Sequence, residues 1–343
     1  MKVVLDLRAG GWLGGRYYLH NLALALSQLP PNQRPELVGI AAADEAAEFD
    51  GLLEPVRTIP EDADVVFPNW NVPMRTRAAQ LHWIPDLQHR RLRGTFSLAE
   101  RLKREVAFVR FALPAQRIVV SSDVVRRDAA RAYPLFARKL RVLRFTTVVP
   151  PGLAETDPFD VLARYDLEPG YVFLPNQFWK HKNHSVAFAA AARVGRTLVC
   201  TGSTEDHRDP TYFDRLTRDL PANVRILGLV PRHDYLQLVR SAAAVLQPSL
   251  FEGWSSIVED ARAFGKPIAL SDIAVHREQS PPGAQFFLPS DPSALAAAAE
   301  RALGSPGVPE AEALTKQDVR VEAYARAFVS LVQDARLSGL RER

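Results

Sequence analysis

The sequence is poor in cysteine and has no long apolar run. Cys200 is the only cysteine among 343 residues, which excludes an internal disulfide and a zinc site built from cysteines. No stretch approaches the ~18 consecutive apolar residues of a membrane-spanning helix, so the sequence argues against an integral membrane protein. Asp6 places an acid too early for a secretory signal peptide. We therefore expect a protein of the reducing cytoplasm.

Lysine is also scarce, since only 7 of the 43 basic residues are Lys. The basic residues are unevenly spread: the segment from Arg90 to Arg144 holds 15 Lys and Arg against 4 Asp and Glu, while the whole chain has a net charge of +4. This segment predicts either an anionic partner, such as a phosphorylated acceptor or a membrane surface, or an arginine-rich solvated face. No nucleic-acid-binding motif accompanies it, so we expect no nucleic-acid partner.

Short apolar runs alternate with helical patterns along the chain. Such alternation predicts mostly parallel sheets covered by helices on both faces, and the length is that of two domains. The predicted strands are residues 3–7, 37–42, 65–68, 80–84, 117–120 and 141–149 in the first half, and 171–174, 197–200, 224–227, 245–247 and 267–270 in the second.

The composition changes near the middle of the chain. Pro150, Pro151 and Gly152 open an acidic stretch that runs to Gly170 and resembles a hinge. We therefore expect an N-terminal domain at residues 1–150 and a second domain at 168–319, with a final helix at about 320–343 that could pack back on the first. The predicted fold class is α/β, with two doubly wound, Rossmann-like domains facing each other across a cleft, where the ligands of such sheets bind.

Two loops that follow predicted strands are suited to anions. A glycine-rich loop, residues 10–15, includes Gly14 and Gly15 and can approach a phosphate closely, although it lacks the dinucleotide-binding spacing. The segment from Asn176 to His184 contains Lys180 and Lys182, and an ammonium near a helix start suits a diphosphate. A tight turn and an aromatic-anchored surface loop are the alternative interpretations of these two segments.

Carboxylates surround a glycine turn in the segment from Pro248 to Pro267. Glu252 precedes this turn, and Glu259 and Asp260 lie on the helix that follows, where simple solvation is the alternative. Carboxylates accept hydrogen bonds from sugar hydroxyls, and exposed turn amides donate to sugar or phosphate oxygens. The pair Asp62 and Asp64 resembles a metal-binding motif but precedes a strand far from this segment, so we interpret it as a turn and predict no metal site.

The segment beginning at Glu252 resembles the Glu-Gly-[Phe/Trp]-x-x-x-x-x-Glu signature of retaining GT-B glycosyltransferases of family 4, the glycosyl transferases group 1. Further stretches agree with that family in order and spacing over essentially the whole chain. They are Gly14-Gly15-Arg16-Tyr17, Trp83-Ile-Pro-Asp-Leu-Gln-His89, Val119-Val-Ser-Ser122, Lys182-Asn183 and Ser271-Asp-Ile-Ala-Val-His-Arg-Glu278. The resemblance implies the GT-B architecture and a nucleoside-diphosphate sugar as donor.

The resemblance also implies roles for particular residues. The catalytic set would be Glu252 beside the donor sugar, Lys182 on the leaving phosphates and Asp86 in the N-terminal half. The donor-binding set would be Gly14, Gly15, Gln177, Lys180, Lys182, Gly253, Trp254, Ser255, Glu259 and Asp260.

Three departures from the family pattern accompany these roles. Asp260 occupies the position of the second, ribose-binding acid, so either Asp260 or Glu259 would hold the ribose. Gln177 replaces a usual Arg, and Lys180 could supply the missing charge. Pro85 stands where the family often has His, which would leave His82 or His89 to serve that role.

The predicted function is transfer of a hexose-type sugar with retention, without a metal or other cofactor, in bacterial surface polysaccharide or glycoconjugate synthesis. The expected acceptor is an anionic glycan or a lipid-linked sugar, with peripheral contact between residues 90–144 and the inner membrane face. The alternative is a nucleotide-sugar-binding protein without transfer activity, in which Gln177 and Asp260 mark decay. The base and sugar of the donor, the acceptor linkage and the oligomeric state are not encoded in any recognisable motif.

Overall fold

The computed structural model describes residues 1–8, 13–40, 49–70 and 76–341. The chain forms two compact units. The first contains residues 1–90, 97–148 and 318–343, and the second contains residues 91–96 and 149–317.

A parallel sheet forms the centre of the first unit. Its strands are β1 (Lys2–Asp6), β2 (Glu36–Ile40), β3 (Glu54–Val56), β4 (Val65–Phe67), β5 (Ala79–Ile84), β6 (Arg117–Val120) and β7 (Leu140–Val142). Their order within the described residues is β3-β2-β1-β4-β5-β6-β7, and neighbouring strands are paired in parallel. The central strands are buried on both faces, which explains why they are continuous apolar runs.

Helices follow the strands of this sheet. In chain order they are α1 (Leu13–Ser27), α2 (Gln88–Arg91), α3 (Leu98–Ala112) and α4 (Asp123–Ala132). Helix α3 begins at a capping box, in which the Ser97 hydroxyl accepts from the Glu100 amide and the Glu100 carboxylate accepts from the Ser97 amide. Ser122 caps α4 in the simpler way, accepting from the amide of Val125. Both helix starts are therefore specified by local sequence.

A second parallel sheet forms the centre of the other unit. Its strands are β8 (Val172–Leu174), β9 (Leu198–Cys200), β10 (Val224–Ile226), β11 (Ala244–Gln247), β12 (Ile268–Ser271) and β13 (Gln285–Phe287). Their order within the described residues is β10-β9-β8-β11-β12-β13. The chain builds outward from β8 in one direction and then restarts from β11 in the other. The strand order therefore reverses between β8 and β11, which is where doubly wound sheets bind ligands.

The second unit has helices before, between and after these strands. They are α5 (Phe159–Arg164), α6 (His184–Val194), α7 (Tyr212–Thr217), α8 (Arg232–Ser241), α9 (Ser256–Ala263), α10 (Ala274–Gln279) and α11 (Pro292–Leu303). Apolar residues of these helices and of the strands form two buried clusters in this unit, one including Ala187, Leu246 and Ala298, the other including Leu238, Val258 and Leu270. Such clusters are what a sheet covered on both faces requires.

The final helix, α12 (Glu310–Arg341), begins in the second unit and ends in the first. Its residues Phe328, Val332 and Ala335 are fully buried in the same apolar cluster as Val3 and Leu5 of β1. The helix is longer than the predicted range because it begins at Glu310 rather than near position 320. Among the described residues, no helix is long and apolar enough to cross a membrane.

The predicted alternation of strands and helices is confirmed, with three differences. The predicted strand at residues 141–149 ends at Val142, because its partner β6 ends at Val120 and offers no further backbone. The short outer strands β3 and β13 were not predicted. Of the glycine-rich loop, residues 10–12 lie outside the described residues, whereas Gly14 and Gly15 are in the first turn of α1.

Candidate functional site

The side chains singled out in the second unit meet at the carboxyl ends of β8 and β11. The chain leaves β8 at Leu174 and makes a 3-10 turn, Lys180–Lys182, before α6 begins. It leaves β11 at Gln247 and passes through Glu252 before α9 begins. Because β8 and β11 are adjacent and parallel, both loops emerge at the same edge of the sheet.

Asn183 holds the two loops together. It adopts a left-handed backbone conformation with φ of 58°, which asparagine tolerates better than most residues. Its side-chain amide donates to the carbonyl oxygens of Pro248 at 3.1 Å and Pro289 at 2.9 Å. The amide of Leu250 donates to the carbonyl of His181 at 2.8 Å. These bonds fix the position of the turn that ends at Asn183 relative to the loop that follows β11.

Lys182 and Glu252 form an ion pair at this edge. The ammonium Nζ lies 2.6 Å from Oε1 of Glu252, and both side chains are largely buried, with 15% and 10% of their surface exposed. The side-chain amide of Gln247 donates to the same Oε1 at 3.0 Å. One carboxylate oxygen of Glu252 thus accepts from both Lys182 and Gln247, which fixes its orientation.

A chain of buried amides connects Glu252 to Glu259. Gln247 accepts from the Asn176 side chain at 2.7 Å, and it donates to the hydroxyl of Ser255 at 3.0 Å as well as to Glu252. The Gln279 side chain accepts from the Ser255 amide and donates to Glu259 Oε1, both at 3.0 Å. The two acids are therefore linked through Ser255 by a continuous series of hydrogen bonds.

Ser255 also begins helix α9. Its hydroxyl accepts from the amide of Val258, so the helix N-terminus lies directly after Gly253 and Trp254. A helix N-terminus favours negative charge through its exposed amides and its dipole. The eight-residue helix therefore directs a partial positive charge toward the loop that carries Glu252.

The histidines of this region are neutral at ordinary pH. Complete burial lowers the pKa of His184 to about 3 and the pKa of His276 to about 4. Burial also lowers the pKa of His181 well below its usual value, and the nearby charges of Lys182 and Arg208 act in the same direction. Because these histidines are neutral, the cation that contacts Glu252 is Lys182.

Three polar atoms at adjacent strand ends have no hydrogen-bond partner in the described part of the chain. They are Oδ1 of Asn176 after β8, Oγ of Ser249 after β11, and Nε2 of His276. The other ring nitrogen of His276 lies 2.9 Å from the carbonyl of Ser271 at the end of β12. Buried polar atoms are ordinarily paired, so this group is unusual and coincides with the edge that carries the Lys182–Glu252 pair.

Asp260 has different neighbours from Glu259. Its carboxylate accepts from Arg232 at 2.7 Å and from the Tyr235 hydroxyl at 2.8 Å, both on α8. Only 1% of Asp260 is exposed. Burial first, and then the adjacent Asp260 carboxylate, raise the pKa of Tyr235. The structure thus gives both candidate ribose-binding acids protein partners, on two different sides of α9.

Lys180 and Gln177 are less closely tied to the site. Lys180 is exposed, whereas Gln177 is half-buried in the loop after β8. Lys180 contributes to lowering the pKa of Asp209, which is held down first by the Arg215 ion pair. The ammonium partner of Glu252 is therefore Lys182 and not Lys180.

Gly202 brings the loop after β9 close to the loop after β8. At its φ of 136°, an added Cβ would clash with the backbone carbonyl of Asn176. Only glycine therefore permits so close an approach of the two loops.

Gly14, Gly15 and Asp86 belong to the first unit. Gly14 is exposed and Gly15 buried in the first turn of α1. Asp86 accepts from the amide of Gln88 at 2.9 Å and so begins α2. The two candidate histidines also have partners: His89 lies 3.1 Å from Glu105, and His82 lies 2.9 Å from Asn69.

His82 and His89 are both buried in the first unit. Burial lowers the pKa of His82 to about 3, so its ring is neutral. Burial also lowers the pKa of His89, against the opposing effect of Glu105. Only 4% of each residue is exposed.

Sequence reasoning missed Gln247, Gln279 and His276 as members of the site. Gln247 had a visible signal, because a polar residue closes the apolar run of β11. His276 belongs to the stretch 271–278 that agrees with the family but was given no role there, and Gln279, the residue after that stretch, gave no signal.

The structure shows no candidate metal centre in the residues it describes. Within them, no group of three or more His, Cys, Asp or Glu could hold a metal ion. Asp62 and Asp64 instead bind Lys2, through its ammonium and its backbone amide respectively.

Comparison with known proteins identifies the class of fold. Residues 168–305 match the family model described as Glycosyl transferases group 1. No curated protein sequence matches the chain. The matched range contains Lys182, Glu252 and the amide chain between Glu252 and Glu259.

Solved structures resemble the chain over nearly its whole length. HepE from Anabaena in complex with UDP-glucose has a TM-score of 0.65 and 15% identity, covering 100% of this chain and 99% of its own. Sucrose-phosphate synthase from Thermosynechococcus elongatus has a TM-score of 0.62 and 17% identity, covering 99% and 94%. WaaG, a glycosyltransferase involved in lipopolysaccharide biosynthesis, has a TM-score of 0.59 and 12% identity, covering 98% of each. The predicted GT-B fold class is confirmed.

Proposed function

We propose that this protein is a retaining glycosyltransferase that moves a hexose-type sugar from a nucleoside-diphosphate sugar to a glycan or lipid-linked acceptor without a metal. The observation that carries the proposal is the Lys182–Glu252 pair beside the N-terminus of α9, at the switch point of the second sheet. The family-model match over 168–305 supports it. The similar Anabaena HepE was solved with UDP, with UDP and glucose, and with UDP-glucose.

Each group at this edge has a role in the proposed reaction. The bond between the sugar and the diphosphate breaks while an acceptor hydroxyl forms a bond to the same sugar carbon and gives up its proton, and negative charge grows on the departing diphosphate. Lys182 and the amides at the start of α9 stabilise that charge, and preorganised electrostatics of this kind is often the main source of catalysis. Glu252 orients the donor sugar, with Gly253 and Trp254 supplying backbone contacts and Ser255, whose amide donates to Gln279, fixing the loop beside them.

The unpaired polar atoms at this edge extend the proposed donor site. Oδ1 of Asn176, Oγ of Ser249 and Nε2 of His276 are buried without a partner in the described residues. Oδ1 of Asn176 and the unprotonated Nε2 of His276 can each accept a hydrogen bond from a hydroxyl of the donor, and the Ser249 hydroxyl can donate to a hydroxyl or a phosphate oxygen. A bound donor would therefore satisfy atoms that the fold leaves unsatisfied.

The remaining predicted residues complete the proposal. Either Glu259 or Asp260 holds the ribose, Lys180 and Gln177 flank the phosphates, and the first unit contributes Gly14, Gly15 and Asp86. The acceptor is anionic and is met by the basic segment 90–144, at the inner membrane face, in the synthesis of a bacterial surface polysaccharide or glycoconjugate. A nucleotide-sugar-binding protein without transfer activity is the alternative, suggested by Gln177 and Asp260 at positions where the family has Arg and Glu.

A titration of nucleoside diphosphates and nucleotide sugars tests the donor site. A ligand that binds only the folded protein raises the unfolding temperature by mass action. We expect one base to give a clear shift and Lys182→Ala to reduce it, whereas Lys316→Ala, at an exposed lysine paired with Glu312, leaves it intact. An absence of any shift would contradict the proposal. Slow release of free sugar from the bound donor would separate the transferase from the non-catalytic alternative.

A further inference from the structure

Helix α3 carries an apolar stripe on its exposed side. Five aliphatic side chains on and just after the helix are exposed, and their spacing of four, four, three and four residues places them along one line. They are Leu98, Leu102, Val106, Val109 and Leu113. Phe108 and Ala112 of the same helix are buried in the core of the first unit and do not belong to the stripe. The stripe is therefore additional to the face that the fold itself needs.

The stripe is about 22 Å long at the usual rise of an α-helix. Scattered single apolar residues are normal on protein surfaces, but a continuous line of five indicates an interaction surface. The exposed fraction reaches 63% for Leu102 and 59% for Val106, in the middle of the line.

Positive charge borders the stripe. Lys103 and Arg110 project from α3 beside it, and within the described residues neither forms an ion pair. Lys139 donates to the carbonyl oxygens of Ala112 and Leu113, so a further cation lies at the C-terminal end of the stripe. Lys103 and Arg110 thus remain available to an external anion.

We infer that the exposed face of α3, defined by Leu98, Leu102, Val106, Val109 and Leu113 with Lys103 and Arg110, docks in the headgroup region of an anionic lipid bilayer. A helix with an apolar line and flanking cations lies in the membrane interface, burying its aliphatic side chains while the cations meet lipid phosphates. A second copy of the chain would bring the same cations against each other and is disfavoured. The inference rests on the proposed function, because a lipid-linked acceptor would be bound at the membrane surface.

The binding test uses the full chain and sedimentation with lipid vesicles. We expect binding to vesicles of phosphatidylglycerol and phosphatidylcholine, and several-fold weaker binding to phosphatidylcholine alone. The variant Leu102→Ser/Val106→Ser should lose most binding to the anionic vesicles. Its matched control is Val319→Ser/Leu337→Ser on α12, whose residues are similarly exposed, at 66% and 57%. Equal binding by wild type and the α3 variant would overturn the inference.

The charge test uses Lys103→Glu/Arg110→Glu, which should abolish the preference for anionic lipid. Arg196→Glu/Arg218→Glu, with the same charge change on the exposed surface of the second unit, should retain it. A loss that is equal in both variants would mean that only net charge matters, and would overturn the docking face. Dimerisation that depends on the stripe, in the absence of vesicles, would also overturn it.

Insertion itself is measurable with a fluorescent label. Cys200 is fully buried, so Val106→Cys can be labelled selectively with a polarity-sensitive dye. We expect the emission to shift to the blue with anionic vesicles at Val106→Cys and not at Val319→Cys. No shift at either position would contradict insertion. The nucleotide-dependent rise in unfolding temperature is measured on the same variants and shows whether the donor site is intact. Failure of docking and failure of the proposed function are therefore distinguishable.

Discussion

Nζ of Lys182 and Oε1 of Glu252 lie 2.6 Å apart, so the cation proposed for the donor phosphates is paired with the carboxylate proposed for the donor sugar. A diphosphate that binds Lys182 must compete with Glu252 for its ammonium. Without a bound anion, the positive charge of Lys182 is therefore neutralised by Glu252.

Glu252→Gln tests this competition. We expect the affinity for free nucleoside diphosphate to rise several-fold, because the amide no longer neutralises Lys182. Transfer should fall by about 10²-fold or more, the usual effect of losing a group that acts on the transition state. Calorimetric titration and a transfer assay would measure the two effects. A fall in diphosphate affinity would mean that Glu252 does not compete for Lys182.

Gln247→Leu tests whether the orientation of Glu252 matters. The substitution removes the hydrogen bonds of the Gln247 amide, and leaving its buried partners unsatisfied costs about 1–3 kcal/mol of stability. We expect kcat to fall more than KM changes, because Glu252 remains but is no longer fixed. Gln237→Leu is the matched control, since Gln237 is similarly buried and bonds to Leu153 and Thr156, away from Glu252. Equal activity per folded molecule in both variants would rule out a positioning role.

The substitution Asp260→Asn tests whether Asp260 only stabilises the fold or also binds the nucleotide. Asp260 accepts from Arg232 and Tyr235, and loss of its charge should reduce stability by about 1–3 kcal/mol. Asp234 is a matched control in the same unit, because it accepts from an arginine and a tyrosine, Arg164 and Tyr165, in the same manner.

Asp260→Asn and Asp234→Asn are therefore expected to lower the unfolding temperature similarly. A fall in nucleotide affinity confined to Asp260→Asn would assign the ribose contact to Asp260. A similar fall in Glu259→Gln alone would assign it to Glu259. If the unfolding temperatures of Asp260→Asn and Asp234→Asn differ strongly, the prediction that the two carboxylates stabilise the fold to a similar extent is wrong.

Acid should destabilise the protein through its buried histidines. Burial in the folded protein lowers the pKa of His276 from an ordinary 6.5 to about 4 and that of His184 to about 3. Between these values and 6.5, the unfolded chain binds protons at these rings and the folded chain does not. The free energy of unfolding is therefore highest above about pH 6.5. It declines as the pH falls toward 4, by about 1.4 kcal/mol per pH unit for each histidine.

Denaturant midpoints measured across this pH range would show the decline. His276→Gln should flatten it, whereas substitution of the exposed His207 by Gln should not. An unchanged slope in His276→Gln would mean that the ring is charged or accessible in the folded protein.

Much of the fold was predictable because its strands are parallel and buried on both faces. Such strands appear in the sequence as apolar runs, and β6 at Arg117–Val120 was predicted with its correct ends. The outer strand β3, Glu-Pro-Val, has neither an apolar run nor an alternation, because an edge strand can tolerate proline and exposed charge. Its pairing with β2 is a property of the whole sheet and is not encoded in its own three residues.

The candidate site was predictable to the extent that its residues are charged. Lys182 was visible because lysine is scarce, and Glu252 because it belongs to a known signature. Gln247 was detectable only as the polar residue that closes the apolar run of β11. Gln279 gave no signal, since a buried glutamine has no distinctive spacing and its partners come from different parts of the chain. The protein partners of Asp260 likewise lie on α8, which is distant from it in sequence.

Helix α12 has a consequence for biosynthesis. The core around Val3 and Leu5 is completed by Phe328, Val332 and Ala335, which leave the ribosome long after the strand they cover. Residues 149–317 form most of the other unit and are translated earlier, so that unit can finish folding while the first still exposes an open apolar surface. The first unit therefore completes its core only after the second unit can have folded, and during translation it would be a natural client for a chaperone.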